Sequence, residues 1–140
     1  MMAPNDERDA IEPELLLAAR AVQANAHVPY SKFRVGAALR TTSGAVFAAC
    51  NVENAAYPES TCAEAGAISA MVSAGEREIA AIVTVCDGEA LGTCCGGCRQ
   101  KIREFATTGA LIHNAGPGGI RKSFTMEELL PDSFGPDHLL

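Results

Sequence analysis

The chain has 140 residues, 48% of them hydrophobic and 20% charged, a composition that excludes a disordered or fibrous protein and predicts a single domain over residues 1–140. Its formal net charge of −6 opposes the counterion release that drives binding to nucleic-acid backbones, so no nucleic-acid partner is expected. The apolar stretches fall short of the roughly 20 residues that span a bilayer, and residues 1–12 are acidic and polar. Neither a membrane span nor a signal peptide is therefore expected.

The first half of the chain predicts a helix followed by a β-hairpin. Residues 1–12 should be poorly ordered, and apolar residues at helical spacing then predict a helix over residues 13–26. Two apolar segments, 35–41 and 45–50, flank a Thr-Ser-Gly turn and predict paired strands. A polar loop over residues 51–60 follows the hairpin.

The second half alternates between helices and strands. A helix with Thr61 as its N-cap should end at Gly75. Apolar runs then predict three strands, at residues 79–86, 110–114 and 121–124. An amphipathic segment predicts a helix over residues 95–106, and a capped segment predicts a helical turn over residues 125–130. A hairpin followed by this alternation predicts an α/β fold, a three-layer α-β-α arrangement with one mixed sheet of about five strands.

Six cysteines could indicate a disulfide scaffold, but a chain with no export signal and an adequate hydrophobic core does not need one. Reduced thiols and a cytoplasmic location are expected. Cys95 and Cys98 form a C-x-x-C pair, and Cys62 supplies a third thiol at the start of another predicted helix. A catalytic zinc site has three protein ligands and leaves the fourth position open, so these three thiols predict a site for one Zn²⁺.

Glu64 follows Cys62 by two residues, a spacing at which both side chains approach one site only at a helix end. There the carboxylate could take and return a proton beside the metal. Taken alone, Thr61 and Glu64 also form the pattern of a capping box. The cysteine pair alone also fits a structural zinc site or a redox pair, although no histidine lies at ligand spacing to complete a closed site.

Five segments in this order resemble the cytidine deaminase family, whose zinc signature is a ligand-x-Glu followed by Cys-x-x-Cys. The segments are PYSKFRVGAA at 29–38, NVENAAYP at 51–58, TCAE at 61–64, CGGCRQ at 95–100 and LLPDSFGP at 129–136. The resemblance covers nearly the whole chain from Pro29 onward. It implies zinc-dependent hydrolysis of cytidine or deoxycytidine to uridine or deoxyuridine and ammonia, in pyrimidine salvage, with Glu64 as the catalytic proton carrier.

The resemblance also implies a partner and a set of substrate contacts. The chain would form a homotetramer in which neighbouring subunits complete each active site. Asn51 and Glu53 would bind the ribose hydroxyls, Phe33 and Phe134 would pack on the base or sugar, and Ala63 would also contact the substrate. Without the family pattern, Asn51 and Glu53 could be turn residues, and Phe33 could belong to the core.

Two positions depart from the family pattern. Cys94 stands where relatives usually have Pro, and it could compete for the metal, although its C-x-x-C register falls on Gly97. Ala65 stands where many relatives have Arg, and Arg99 could partly replace that positive charge. Two rival functions remain: deamination of another aminopyrimidine nucleoside, such as a nucleoside antibiotic, and a non-catalytic zinc-stabilised interaction module.

Overall fold

A computed structural model describes residues 11–140. Its five strands are β1 (Val35–Thr41), β2 (Val46–Cys50), β3 (Ile79–Cys86), β4 (Ala106–Gly116) and β5 (Gly119–Thr125). They form one sheet in the order β2-β1-β3-β4-β5, in which β3 and β4 are parallel and the other neighbours are antiparallel. The predicted mixed sheet of five strands is confirmed.

Within residues 11–140, four α-helices accompany the sheet: α1 (Pro13–Gln23), α2 (Ala63–Ser73), α3 (Gly96–Phe105) and the short α4 (Met126–Leu129). Leu15 and Ala19 of α1 pack on one face of the sheet, in a cluster with Val83. Met71 of α2 and Ile102 of α3 belong to a second cluster, on the other face, with Leu39, Ile82 and Ile112. The sheet is thus the middle of three layers, as predicted.

The end of α1 and the start of α2 differ from the prediction. In both cases the cause is a contact with a loop distant in sequence. Helix α1 ends at Gln23 rather than residue 26, because the chain turns there and His27 pairs with Val52 in a β-bridge. Thr61 is not the N-cap of α2. Its backbone exchanges hydrogen bonds of 2.8 and 2.9 Å with Val52, which holds it extended and makes Cys62 the N-cap.

Other local predictions are confirmed or need small adjustment. Thr125 and Glu128 form the predicted capping box of α4, and Gly44 has the positive φ of 91° that the hairpin turn requires. Strands β4 and β5 extend beyond the predicted 110–114 and 121–124 because their backbones pair out to Gly116 and Gly119. No helix within residues 11–140 has the length and hydrophobicity to cross a membrane.

The expected disorder of residues 1–12 falls mostly on residues 1–10, which lie outside the described part of the chain. Glu12 is described, and its carboxylate pairs with the guanidinium of Arg40 at 2.8 Å. The Arg40 and Glu12 side chains are 27% and 15% exposed, and the hydrogen bond with Glu12 is the largest cause of a raised pKa of Arg40. The chain is therefore anchored to β1 one residue before α1 begins.

Candidate metal centre and active site

Three cysteines meet where helices α2 and α3 begin. Cys62 is the N-cap of α2, Cys95 is the N-cap of α3, and Cys98 lies buried in the first turn of α3. Their sulfur atoms all lie within 4.8 Å of one another, and the Sγ atoms of Cys62 and Cys95 are 3.9 Å apart. The cluster predicted from the spacing is therefore assembled by the fold.

The donor set fits a tetrahedral zinc ion. With zinc–sulfur bonds of about 2.3 Å, two thiolates on one tetrahedral ion are about 3.8 Å apart. The Cys62–Cys95 separation of 3.9 Å is close to that value, no pair of sulfurs is more than 4.8 Å apart, and all three thiols are free. The amino ends of α2 and α3 add positive partial charge beside sulfurs that must be thiolates to bind. Within residues 11–140 no histidine joins the cluster as a fourth protein ligand.

The thiols already interact strongly with one another. A hydrogen bond from Cys98 lowers the pKa of Cys62 to about 6, partly opposed by burial, and Lys101 contributes a smaller favourable charge. The same hydrogen bond raises the pKa of Cys98. The lowered pKa of Cys62 favours the thiolate form that a metal ion requires.

Glu64 lies in the first turn of α2 and is only 4% exposed. Burial raises the pKa of its carboxyl group, and hydrogen bonding with the Cys94 thiol and the Thr84 hydroxyl partly opposes that shift. The alternative capping-box role is wrong, because Thr61 is not the N-cap and the side chain of Cys62 makes no capping hydrogen bond. Glu64 is a buried carboxylate with no capping function to account for it.

A pocket of about 180 Å³ opens over the cysteines and the carboxylate. Six of the nine predicted site residues line its wall: Phe33, Asn51, Cys62, Ala63, Glu64 and Cys95. Phe33 is 43% exposed, so the alternative that it is a core residue is wrong.

Glu53 and Phe134 do not line this pocket. Glu53 accepts hydrogen bonds from the backbone N–H groups of Tyr30 and Ser31, at 3.0 and 3.1 Å. Phe134 is 56% exposed in the C-terminal tail, where its ring stacks on His138. Of the nine predicted site residues, six line the pocket and Cys98 belongs to the adjoining cysteine cluster. Only Glu53 and Phe134 lie outside both.

Asn51 is already bonded to the backbone beside the pocket. Its Oδ1 atom accepts from the N–H of Val35 at 2.9 Å, and its Nδ2 atom donates to the carbonyl oxygen of Phe33 at 3.0 Å. With Glu53, it fixes the segment that carries Phe33. The amide retains one acceptor lone pair and one N–H that these two bonds do not use.

Sequence reasoning missed other residues of the wall, namely Val35, Thr84, Cys86, Gly92 and Thr93. Cys86 is buried at the end of β3 and also borders the pocket. Thr84 carried a usable signal, because it is the one polar residue in the apolar run 79–86. A hydroxyl retained in a strand covered on both faces indicates a polar contact below the surface.

Cys94 is adjacent to a proposed ligand but does not belong to the cluster. It is 3% exposed, and burial raises the pKa of its thiol to about 12. The guanidinium of Arg99 donates to the carbonyl oxygens of Cys94 and Leu129, both at 2.8 Å, and to the Thr93 hydroxyl. Its visible role is to fix the loop before α3.

A larger cavity of about 640 Å³ lies between the start of β4 and the C-terminal tail. Its wall includes Arg103, Thr107 and Asp137 but none of the three clustered cysteines. Size alone would favour this cavity as a ligand site. The chemistry favours the smaller pocket, where a donor set for a metal and a buried carboxylate are side by side.

Comparison with known proteins gives consistent results. Residues 11–113 match the sequence model described as the cytidine and deoxycytidylate deaminase zinc-binding region. A cytidine deaminase from Sporosarcina psychrophila is 37% identical over 126 residues, which cover 90% of this chain and 93% of that protein. One from Mycobacterium tuberculosis is 39% identical and covers 83% of this chain and 84% of its own.

Solved structures agree with the sequence relatives. The crystal structure of a cytidine deaminase from Burkholderia pseudomallei has a TM-score of 0.80 and 39% identity, covering 88% of this chain and 98% of that one. The cytidine deaminase structure from Mycobacterium tuberculosis has a TM-score of 0.74 and 36% identity, covering 88% and 96%. The fold is thus shared across nearly the full length of these solved proteins.

Proposed function

This chain belongs to the cytidine deaminase family, and we propose that it hydrolyses free cytidine or deoxycytidine to uridine or deoxyuridine and ammonia. One observation carries the proposal: a buried carboxylate, Glu64, shares a pocket with a cluster of three cysteines whose sulfurs fit one zinc ion. A catalytic zinc site needs an open coordination position and a nearby proton carrier. We place this activity in one domain formed by the chain and assign it to pyrimidine salvage.

The metal is held by Cys62, Cys95 and Cys98 in this proposal. Bound zinc would supply a water molecule of lowered pKa, able to act as a nucleophile at neutral pH. Three thiolates are strongly electron-donating ligands and carry a formal charge of −3, which moderates that effect. The amino ends of α2 and α3, together with Lys101, offset part of this charge.

Glu64 moves the protons. Burial raises the pKa of Glu64, which favours the protonated form that a proton carrier must adopt during the reaction. Glu64 would take one proton from the attacking water and deliver it to N3 of the pyrimidine, then take the second proton from the hydroxyl group added at C4 and deliver it to the amino group, which leaves as ammonia. Its burial keeps bulk water from competing for that proton.

The substrate would lie between the metal centre and the segment from residue 30 to residue 35. Phe33 offers an exposed aromatic face to the base or sugar, and Ala63 closes the pocket with a side chain too small to exclude the ring. Asn51 and Glu53 would bind the ribose hydroxyls with the hydrogen-bonding capacity that the loop contacts do not use. Those loop contacts would hold the two side chains in place before substrate arrives.

A substrate panel tests the proposed reaction. Cytidine, deoxycytidine, cytosine and modified aminopyrimidine nucleosides are incubated with the zinc-loaded protein, and deamination is followed by ultraviolet absorbance and ammonia release. We expect turnover of cytidine or deoxycytidine, and a kcat/KM for cytosine at least about 100-fold lower, because a site built for hydroxyl groups penalises their absence. Turnover of only a modified nucleoside would favour the rival deaminase. Stoichiometric zinc with no turnover would favour the interaction module.

We further propose that the chain is a homotetramer with shared active sites. Phe134 supports this proposal, since a large aromatic side chain that is 56% exposed and outside its own pocket is available to a neighbouring subunit. Tyr30, Phe33 and Tyr57 are also exposed, on the side that carries the pocket segment. Aromatic residues of this kind are enriched in protein interfaces. The six free thiols support a reducing, cytoplasmic location.

Subunit complementation tests the shared site. Phe134→Ala should lower kcat/KM by about tenfold or more through the loss of ring packing. Co-expression with a Glu64→Gln subunit should restore activity, because mixed oligomers contain sites with an intact Glu64 from one subunit and an intact Phe134 from another. The matched control pairs Phe134→Ala with the double variant, which can restore nothing. Purified mixed oligomers without recovered activity, or a monomer in sedimentation, would contradict the proposal.

A further inference from the structure

The C-terminal tail, residues 131–140, is positioned by polar contacts rather than by a hydrophobic core. Gly135 is its one buried residue, and Phe134 is 56% exposed. The cavity of about 640 Å³ lies between part of the tail and the start of β4, with Ser133 and Asp137 in its wall. Burial of apolar surface therefore contributes little to holding the tail in place.

Two side chains of α3 hold the tail instead. Nε of Arg103 donates to Oγ of Ser133 at 2.8 Å, and its Nη2 atom donates to Oδ1 of Asp137 at 2.7 Å. Nε2 of Gln100 donates to the carbonyl oxygen of Phe134 at 2.8 Å. Because a guanidinium group presents several N–H donors in a rigid plane, Arg103 alone joins two points of the tail, one on each side of Phe134.

Gly135 accommodates the guanidinium of Arg103. A Cβ atom at position 135 would lie less than 3.0 Å from Cζ, Nη1 and Nη2 of that side chain, where the atoms would overlap. The backbone of Gly135 is extended, with φ −158° and ψ −176°, so the close approach and not the backbone conformation requires glycine. Asp137 is 67% exposed, and solvent weakens its ion pair with Arg103. The fit against Gly135 and the bond to Ser133 make the contact specific.

The ring of Phe134 has a defined place within the tail. It stacks on the ring of His138 with the centroids 5.1 Å apart, and Nδ1 of His138 accepts from the N–H of Gly135 at 3.0 Å. Residues 134–138 thus form one compact turn, which Arg103 attaches to α3. An aromatic side chain that is ordered before it meets its partner loses less conformational entropy on binding.

We propose that Arg103 is a positioning residue, which attaches the tail to α3 so that the ring of Phe134 is presented to the substrate site in a fixed place. The inference rests on the proposed function, since Arg103 acts only through the contact proposed for Phe134. Arg103 does not line the pocket of its own subunit, and we assign no chemistry to it.

Two variants of the zinc-loaded protein, Arg103→Met and Gly135→Ala, test the proposal. Methionine keeps the length and helix propensity of the side chain but donates no hydrogen bond, and the added methyl group at position 135 displaces the flexible end of Arg103. Both changes should lower kcat/KM for cytidine about three- to tenfold, the range expected when one more side chain must be ordered on binding. The loss should be in KM, with kcat and zinc content unchanged. Arg77→Met, which alters an exposed arginine after α2, is the matched control.

A double-mutant cycle tests whether Arg103 acts through Phe134. If it does, adding Arg103→Met to the Phe134→Ala protein should change kcat/KM by less than about twofold, because the ring that it positions is already absent. Equal losses in the two backgrounds would overturn the proposal, since a general defect of α3 does not depend on the ring. Unchanged kcat/KM in Arg103→Met, or a loss that follows loss of zinc, would overturn it as well.

Hydrogen exchange separates this inference from the proposed function. The amides of His138 and Leu139 donate to carbonyl oxygens within the tail and should exchange about three- to tenfold faster in Arg103→Met, because a detached tail opens more often. Unchanged exchange would overturn the attachment to α3, in an active or an inactive protein. If exchange is faster but the wild-type protein deaminates nothing, the attachment holds and the proposed function fails. A fully active Phe134→Ala protein would overturn the positioning role.

Discussion

Glu64→Gln should lose nearly all deaminase activity while keeping its zinc and its fold. Glutamine has nearly the shape of the carboxylic acid and can still form hydrogen bonds, but it does not exchange a proton. Positioned proton transfer contributes about two to four orders of magnitude to rate, so kcat should fall by about that much. Steady-state kinetics with cytidine, zinc analysis and thermal melting measure the three properties on one preparation.

The fold leaves little room for a structural explanation of that loss. The capping box that could have given Glu64 a purely structural role is not formed, because Thr61 is held by Val52 outside the helix. The neutral amide also avoids the cost of a buried charge, so the melting temperature should stay the same or rise. Glu104→Gln, which changes an exposed carboxylate on α3, is the matched control and should be fully active. An active Glu64→Gln protein would show that the proton carrier is another group.

The sheet and the metal cluster were predictable because both depend on patterns that are local in sequence. The apolar run 79–86 and the hairpin at 35–50 determine which strands form, and an alternation of helices and strands leaves few ways to arrange them. The three cysteines stand at the starts of α2 and α3, which pack on the same face of the sheet. Their meeting follows from the order of elements together with the C-x-x-C spacing.

The parts that were missed depend on contacts between residues far apart in sequence. Val52 forms β-bridges with His27, after the end of α1, and with Thr61, which is thereby kept out of α2. Nothing in the sequence around Val52 indicates that it forms these bridges. The hydrogen bonds of Asn51 and Glu53 to the segment at residues 30–35 are equally non-local. Cys94 could have pointed toward the metal or toward the core, and only packing against Thr84 and Asn114 decides.

Cys98→Ala should abolish zinc binding, and with it both activity and a large part of the stability. Cys98 is fully buried within the cluster, so no water molecule or neighbouring side chain can easily replace its sulfur. A ligand that binds only the folded state at about 1,000 times its dissociation constant stabilises that state by about 4 kcal/mol. For a chain of this size, losing that contribution should lower the melting temperature by roughly 10 °C. Zinc per chain, kcat and melting temperature are the measurements.

The chelated protein distinguishes loss of metal from loss of packing. Replacing sulfur by hydrogen in the core has its own cost, which is present whether or not zinc is bound. If the metal accounts for most of the effect, wild type and Cys98→Ala should melt far apart in zinc and close together in chelator. Cys50→Ala, which removes a half-buried thiol outside the cluster, should behave as wild type in both conditions. One zinc per chain in Cys98→Ala would refute its assignment as a ligand, whereas an equal gap in zinc and in chelator would make its contribution one of packing.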